Sequence, residues 1–241
     1  MVRKKENAKI GGEAERLFAS KLKADTKLQK FITRKYKLKG DFLEAHPTGI
    51  NQKKSDVLVL FSESVPVGVN IKAGKADFNQ VTRLWLSSLA KEIKLSKTAV
   101  SIFQKGIDNY RLKRKECLIE KESQPYIENE LRGKLDLVIE LIFRGIGNDI
   151  AKILALYDRT KKVYHLYDLD EFISKVARSK IGFTAKGIVK IGKYLSIQRK
   201  SGNGASVKVP KSHPKHPGNQ IQFKMKILSF MHENKPFSIL K

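Results

Sequence analysis

Apolar residues recur with two different periods along this chain of 241 residues, and each change of period marks an element. Between residues 11 and 23 (GGEAERLFASKLK), Phe18, Ala19 and Leu22 fall on one stripe at helical spacing. A second short helix fits residues 27 to 37. Asp56 then introduces Val57-Leu58-Val59-Leu60-Phe61, an unbroken apolar run of the kind that forms a strand covered on both faces. After a turn of Ser, Glu and Pro, residues 65 to 72 alternate: Val67, Val69 and Ile71 on one face, Gly68, Asn70 and Lys72 on the other. Residues 77 to 92, carrying Phe78, Val81, Leu84, Trp85, Leu86 and Leu89, are predicted to be a helix with Trp85 in the core.

The second half is mixed as well. A helix is predicted over residues 122 to 141, a strand pair at 151 to 157 and 162 to 168, and a short helix at 169 to 178. Strands at 187 to 199 and 219 to 228 flank residues 200 to 218 (KSGNGASVKVPKSHPKHPG), whose glycines and prolines predict a loop. The pattern contains no internal repeat. It predicts an α/β lobe over residues 1–105 and a β-rich lobe over 106–241, joined between residues 95 and 120.

Hydrophobic residues make up 41 % and charged residues 30 %, the balance of a globular chain. Charge changes the picture more. Lys and Arg number 49 against 24 acids, a net charge of +25 spread along the whole chain. Such self-repulsion is tolerated most readily beside a polyanion. Duplex DNA, with about one negative charge per 1.7 Å of axis, is one, but a ribosomal or chromatin protein has the same balance. The single cysteine, Cys117, excludes an intramolecular disulfide framework and a cysteine-rich zinc site, and is expected to be inert. No segment approaches the ~20 apolar residues of a membrane span. The basic start lacks the apolar stretch of a secretory signal, so a soluble, cytoplasmic protein is expected.

Asn70 and Lys72 project from one face of their strand, about 6.5 Å apart. An amide and an ammonium at the end of an apolar strand cost desolvation without stabilising a core. Asp56 opens the neighbouring strand, and a hairpin can carry its carboxylate towards them. An oxygen-rich cluster of this kind suits Mg²⁺. The Lys72 ammonium can then orient a water for in-line attack on a phosphodiester. The plainer alternative makes Asp56 a turn residue and Lys72 a strand end reaching solvent.

Lys54-Ser55-Asp56 followed by Asn70-Ile71-Lys72 resembles the PD-(D/E)xK nuclease signature, with Ser55 in place of proline and Asn70 in place of the usual acid. Together with Asp77-Phe78-Asn79-Gln80-Val81 and Trp85-Leu86, it is similar to the catalytic block of small monomeric type II restriction endonucleases of the MspI kind, above all the GCGC-cutting member, where an amide also replaces the middle acid. Further segments resemble that family in order: Ala8-Lys9-Ile10-Gly11 with Glu15, Ala19 and Leu22; Phe143-Arg144-Gly145-Ile146-Gly147; Leu195 to Gly204; and Ile221 to Lys224. The spacer between Asp56 and Asn70 is shorter than in that member, and the loop at 205 to 218 is longer.

The resemblance implies an α/β PD-(D/E)xK core, a mixed sheet flanked by helices, with a β-rich DNA-recognition lobe. It implies a type II restriction endonuclease that binds double-stranded DNA as a monomer and hydrolyses it with Mg²⁺ at a short GC-rich palindrome, GCGC leading. A cognate methyltransferase of the same restriction-modification system is implied, without direct contact. Asp56, Asn70, Lys72 and Glu15 would be catalytic, with Asp56, Asn70 and Glu15 as metal ligands. Glu15 shares the inward stripe of Phe18, Ala19 and Leu22, although it can also serve as a helix-start acid, and Glu13 can take its place.

Base edges are read by Arg or Lys at guanine, Asn or Gln at adenine, and acids at cytosine. Three clusters qualify: Phe78, Asn79 and Gln80 with Arg83; Arg144 with Asn148; and Gln198, Arg199 and Lys200. Each can equally be a phosphate contact. His213 and His216 are read as part of a flexible basic loop rather than as metal ligands. Two other functions stay open: a non-catalytic DNA-binding protein with a decayed nuclease site, and a sequence-independent repair or junction nuclease.

Overall fold

The computed structural model describes residues 2–48, 55–74, 78–145, 151–201 and 209–241. Eight helices and eleven strands follow in this order among them: α1 (Val2–Ala24), α2 (Thr26–Lys35), β1 (Phe42–Pro47), β2 (Val57–Phe61), β3 (Ser64–Gly74), β4 (Phe78–Leu84), α3 (Leu86–Glu92), α4 (Lys97–Arg111), α5 (Gln124–Arg132), α6 (Leu135–Phe143), β5 (Ala151–Asp158), β6 (Val163–Asp168), α7 (Leu169–Ala177), β7 (Ile181–Phe183), β8 (Val189–Ile191), β9 (Leu195–Arg199), β10 (Ile221–Lys226), α8 (Ile227–Glu233) and β11 (Ser238–Leu240). They form two compact units that interleave along the sequence. One comprises Val2–Asp77, Phe143–Phe172 and Ile227–Lys241; the other comprises Phe78–Ile142 and Ile173–Lys226. A single cut near residue 105 does not describe this division.

The first unit is built on a mixed sheet ordered β1-β2-β3-β5-β6-β11, in which β3 and β5 run parallel and the other neighbours antiparallel. Ala14, Phe18, Ala19 and Leu22 of α1 and Leu28 and Ile32 of α2 share a core cluster with Val57, Val59, Val69, Ile71 and Ala155. Phe18 meets Tyr164 edge-on at 5.2 Å, and the Tyr164 hydroxyl donates to Ala14 O at 2.6 Å, which ties α1 to the sheet. Burial pushes that phenol far above its usual range. Phe143, Phe172, Phe230 and Tyr167 pack in a separate chain of edge-on ring contacts. In β2 only Val57, Val59 and Phe61 are buried; Leu58 and Leu60 are half-buried, so cover is complete on one face only.

The second unit carries an antiparallel sheet ordered β4-β10-β9-β8-β7. Residues 78 to 84, predicted to be helical, are strand β4, which pairs with β10 from Lys226↔Phe78 to Ile221↔Leu84. Val81, Leu84 and Trp85 satisfy a helical period, and only the long-range ladder selects the extended form. The helix starts at Leu86, and Trp85 is 37 % exposed rather than in the core. The helix predicted over 122 to 141 is two, α5 and α6, separated at Gly133 and Lys134. The strand predicted over 187 to 199 is broken at Gly192, whose φ of +56° suits glycine. Strand β10 stops at Lys226, where α8 begins. Helix α4, not predicted, buries Ala99, Phe103, Gly106 and Ile107 and is capped by Ser96 Oγ, which accepts from the Ala99 amide. His216, placed by sequence in a flexible loop, is buried, and its Nδ1 accepts from the Gly218 amide. Cys117 is buried with its thiol on Ile119 O, and burial pushes its pKa up. Among the described residues, no helix is long and apolar enough to cross a membrane.

Candidate catalytic and nucleic-acid-binding sites

Three of the four catalytic candidates meet in the first unit, where the β2–β3 ladder stops. Val57 pairs with Val69, and the Asp56 amide donates to Val69 O at 2.8 Å. Past that pair, side chains take over the backbone groups of Ile71. Its amide donates to Asp56 Oδ2 at 2.6 Å, and Lys72 Nζ donates to Ile71 O at 2.9 Å. Lys72 Nζ also reaches Asp56 Oδ2 at 3.3 Å, with the two side chains 14 % and 22 % exposed. Thr48 N on Asp56 O and Thr48 Oγ1 on Ser55 O anchor the approach from β1. The acid and the ammonium are therefore oriented by main-chain bonds.

Glu15 belongs to the same electrostatic group. Burial raises its carboxyl pKa from the ordinary 4.5, the negative charge of Asp56 raises it further, and Lys72 and Arg16 oppose the rise. The folded chain thus holds a proton on Glu15 more tightly than the unfolded chain does. Stability from this group is complete below pH 4.5 and is lost as pH rises through the raised folded value. Glu15→Gln is expected to raise Tm at pH 7, on the order of 2 °C, with the gain vanishing near pH 4. Thermal melts at both pH values check this, and a lower Tm at pH 7 contradicts it.

Asn70 sits differently. Its side chain is fully buried, Nδ2 donates to Phe143 O at 2.6 Å, and Oδ1 is buried with no hydrogen-bond partner among the described residues. Phe143 ends α6, so its carbonyl is among those that a helix leaves without an intrahelical partner. This gives position 70 a reason for an amide: a carboxylate would face a carbonyl. Asn70→Asp is expected to cost about 1–3 kcal/mol, measured by denaturant unfolding at neutral pH. An unchanged midpoint would remove this explanation.

Among the described residues, no group of three or more His, Cys, Asp or Glu side chains is placed to hold a metal ion. Mg²⁺ does not require one, since it keeps several waters and takes one or two carboxylates. The two carboxylates that repel each other are oxygen donors of that hardness, and the buried Asn70 Oδ1, without a donor among the described residues, is a third of the same kind. The residues fit the ion.

In the second unit the sheet presents a polar, basic face. Gln222 lies opposite Arg83 on β4 and Gln198 on β9; Lys224 lies opposite Gln80 and Ser196; Lys190 lies opposite Ser196. Paired residues share a face. Ile221, Phe223 and Met225 alternate with these residues and are buried on the other side. Lys190, Lys224 and Lys226 gather closely: burial lowers the Lys190 pKa most, and the charges of Lys226 and Lys224 lower it further. Sequence reasoning passed over Gln222, Lys190, Lys224 and Lys226, although Gln222-Phe223-Lys224-Met225-Lys226 carries the polar-apolar alternation that marks such a face.

The other predicted DNA contacts are placed as follows. Phe78 opens β4, Asn79 is half-buried beside it and Arg83 is exposed. Arg199 donates through Nε and Nη2 to Asn219 Oδ1, at 3.3 and 2.8 Å, and lies 5.3 Å from the Tyr110 ring centre. It lines a cleft of about 1150 Å³ with Tyr110, Arg111, Arg114, Lys186 and Lys211. The Lys200 amide donates to Gln220 O at 2.8 Å. Arg144, in the first unit, pairs with Asp170 and donates through Nε to Ala151 O at 3.1 Å. Asn148 lies outside the described residues.

A mixed sheet flanked by helices, with an acid and a lysine at the end of its central strands, defines a restriction-endonuclease-like fold. The fold is similar to that of the restriction endonuclease MspI, solved in complex with its cognate DNA, with a TM-score of 0.53 at 14 % identity, covering 82 % of this chain and 77 % of that one. No protein-family model matches the chain, and no curated protein does.

Proposed function

We propose that this protein is a type II restriction endonuclease that hydrolyses double-stranded DNA at a short GC-rich palindrome, GCGC leading, with Mg²⁺ as cofactor. The observation that carries this reading is the oriented Asp56–Lys72 pair, with Glu15 in electrostatic reach, on a restriction-endonuclease-like fold. Asp56, Glu15 and Asn70 Oδ1 would hold the ion. When bound, Mg²⁺ supplies charge neutralisation at the reacting phosphate. Lys72, held by Ile71 O, orients the attacking water and meets charge developing on the phosphate oxygens. The basic sheet face and the Arg199 cleft of the second unit supply phosphate and base contacts. The chain would act as a cytoplasmic monomer on DNA, its target protected by a cognate methyltransferase.

A second reading, DNA binding without cleavage, is favoured by the complete burial of Asn70. Plasmid DNA incubated with the protein and Mg²⁺ separates the two. Discrete fragments with GCGC at their ends, suppressed by chelator, are expected. Binding with no cleavage of any sequence would establish the second reading, and a smear would indicate a sequence-independent nuclease.

A further inference from the structure

Three glutamine amides form a directed chain across three adjacent strands. Gln198 Nε2 on β9 donates to Gln222 Oε1 on β10 at 3.4 Å, and Gln222 Nε2 donates to Gln80 Oε1 on β4 at 2.6 Å. Gln222 is buried at 7 % exposure, Gln198 is half-buried and Gln80 is exposed. A primary amide buried on the face of β10 opposite Ile221 and Phe223 is costly unless its donor and acceptor are both used, and here they are. Direction matters chemically. The outermost torsion of an isolated glutamine turns readily, so either end of its amide can face a ligand. Inside the chain it is locked: Gln80 turns its oxygen inward and its NH₂ outward, and Gln198 spends an N–H inward and keeps acceptor capacity on Oε1.

We infer that Gln222 is a positioning residue that fixes the polarity of this chain, so that Gln80 offers donors to guanine and Gln198 offers an acceptor to cytosine in the major groove. Guanine presents N7 and O6 as acceptors, and cytosine presents an N4 amino donor. Adenine read by one glutamine requires a donor and an acceptor side by side, and Gln80 has turned its acceptor away. The chain therefore favours G·C over A·T pairs through its own hydrogen bonding. Around it, Arg83 lies opposite Gln222 and Lys224 opposite Gln80, and Lys190 and Lys226 crowd Lys224. A row of phosphates relieves that repulsion and brings base edges to the amides.

The inference rests on the protein being a reader of DNA sequence, so the test separates the two. Duplexes bound by the wild-type chain are selected from a random pool, and cleavage is followed independently on cognate and singly substituted duplexes. Selection of a G·C-rich site is expected. Gln222→Leu, which removes both links, should lower the preference for the cognate site over A·T-substituted sites by about 10- to 100-fold, with the salt dependence of binding unchanged. Gln222→Glu accepts from both neighbours, turns the Gln80 oxygen outward, and should move the preference at that base away from guanine. A purely structural role would lower Tm and leave the ratio intact. Wild-type selection without cleavage would sink only the enzymatic reading. Cleavage with wild-type discrimination in both variants would sink only the role of Gln222. Should both variants fail to fold, Gln80→Glu decides, since its exposed side chain presents acceptors where NH₂ stood: an unchanged preference for guanine overturns the inference.

Discussion

On the proposed function, Asp56→Asn and Lys72→Met are each expected to lower DNA cleavage by about 10³–10⁴-fold, while binding to DNA is expected to stay within a few-fold of wild type. The magnitude follows from what each side chain does. Asp56 Oδ2 accepts the Ile71 amide and faces Lys72 Nζ, so its charge sits at a fixed point. Asparagine retains an oxygen for the Ile71 amide and loses the charge proposed to hold a divalent ion. Methionine fills the space of the lysine stem and removes the cation proposed to orient water. Binding is expected to survive because neither substitution removes more than one unit from a net charge of +25, which would supply the phosphate contacts. Single-turnover cleavage and gel-shift binding on the same duplex measure both quantities. Wild-type cleavage by either variant would remove that residue from the mechanism. Alanine is a poorer probe at position 56, since it strands the Ile71 amide and leaves a shielded ammonium without its partner.

Gly106→Ala is expected to destabilise the protein by about 2–4 kcal/mol, against the sign that helix propensity gives. Gly106 lies in the last turns of α4, where alanine ordinarily gains about 1 kcal/mol over glycine. Here a Cβ would stand 1.9 Å from Leu118 O and 2.7 Å from Leu118 C, which are backbone atoms that cannot swing aside. The helix and the 118 segment must separate, opening the packing of Phe103 and Ile107. Gly133→Ala is the matching control. Gly133 has φ −72° and nothing within 4 Å of an added Cβ, so alanine is neutral or stabilises by about 0.5–1 kcal/mol. Denaturant midpoints of the two variants should move in opposite directions or not at all for Gly133. An unchanged midpoint for Gly106→Ala contradicts the packing described.

The amphipathic stripe of α1 and the two central strands were legible because burial imposes periods of 3.6 and 2 on local sequence. Phe18 and Leu22 are fully buried, as their spacing predicts, and Val67, Val69 and Ile71 face the same core. Asp56 and Lys72 were legible as a charged pair because charged groups beside apolar strand residues are conspicuous. Strand β4 was not, because Val81, Leu84 and Trp85 fit a helix as well as a strand and its partner β10 lies more than a hundred residues away. The basic face shared by Lys190, Lys224 and Lys226 was hidden in part for the same reason: the alternation along β10 places Lys224 and Lys226 on one face, but Lys190 comes from β8.

Sequence alone determined which stretches bury an apolar face, that the chain carries a large excess of positive charge, and that Asp56 and Lys72 flank one strand junction. Those properties depend on spacing and residue type within a few positions. Tertiary structure decided the rest: that the chain leaves the first unit at Asp77 and returns at Phe143, that Phe143 O accepts from the amide at position 70, and that three distant glutamines align. Each of these is set by hydrogen-bond partners far apart in the chain, and no local pattern encodes which partner a buried polar group will find.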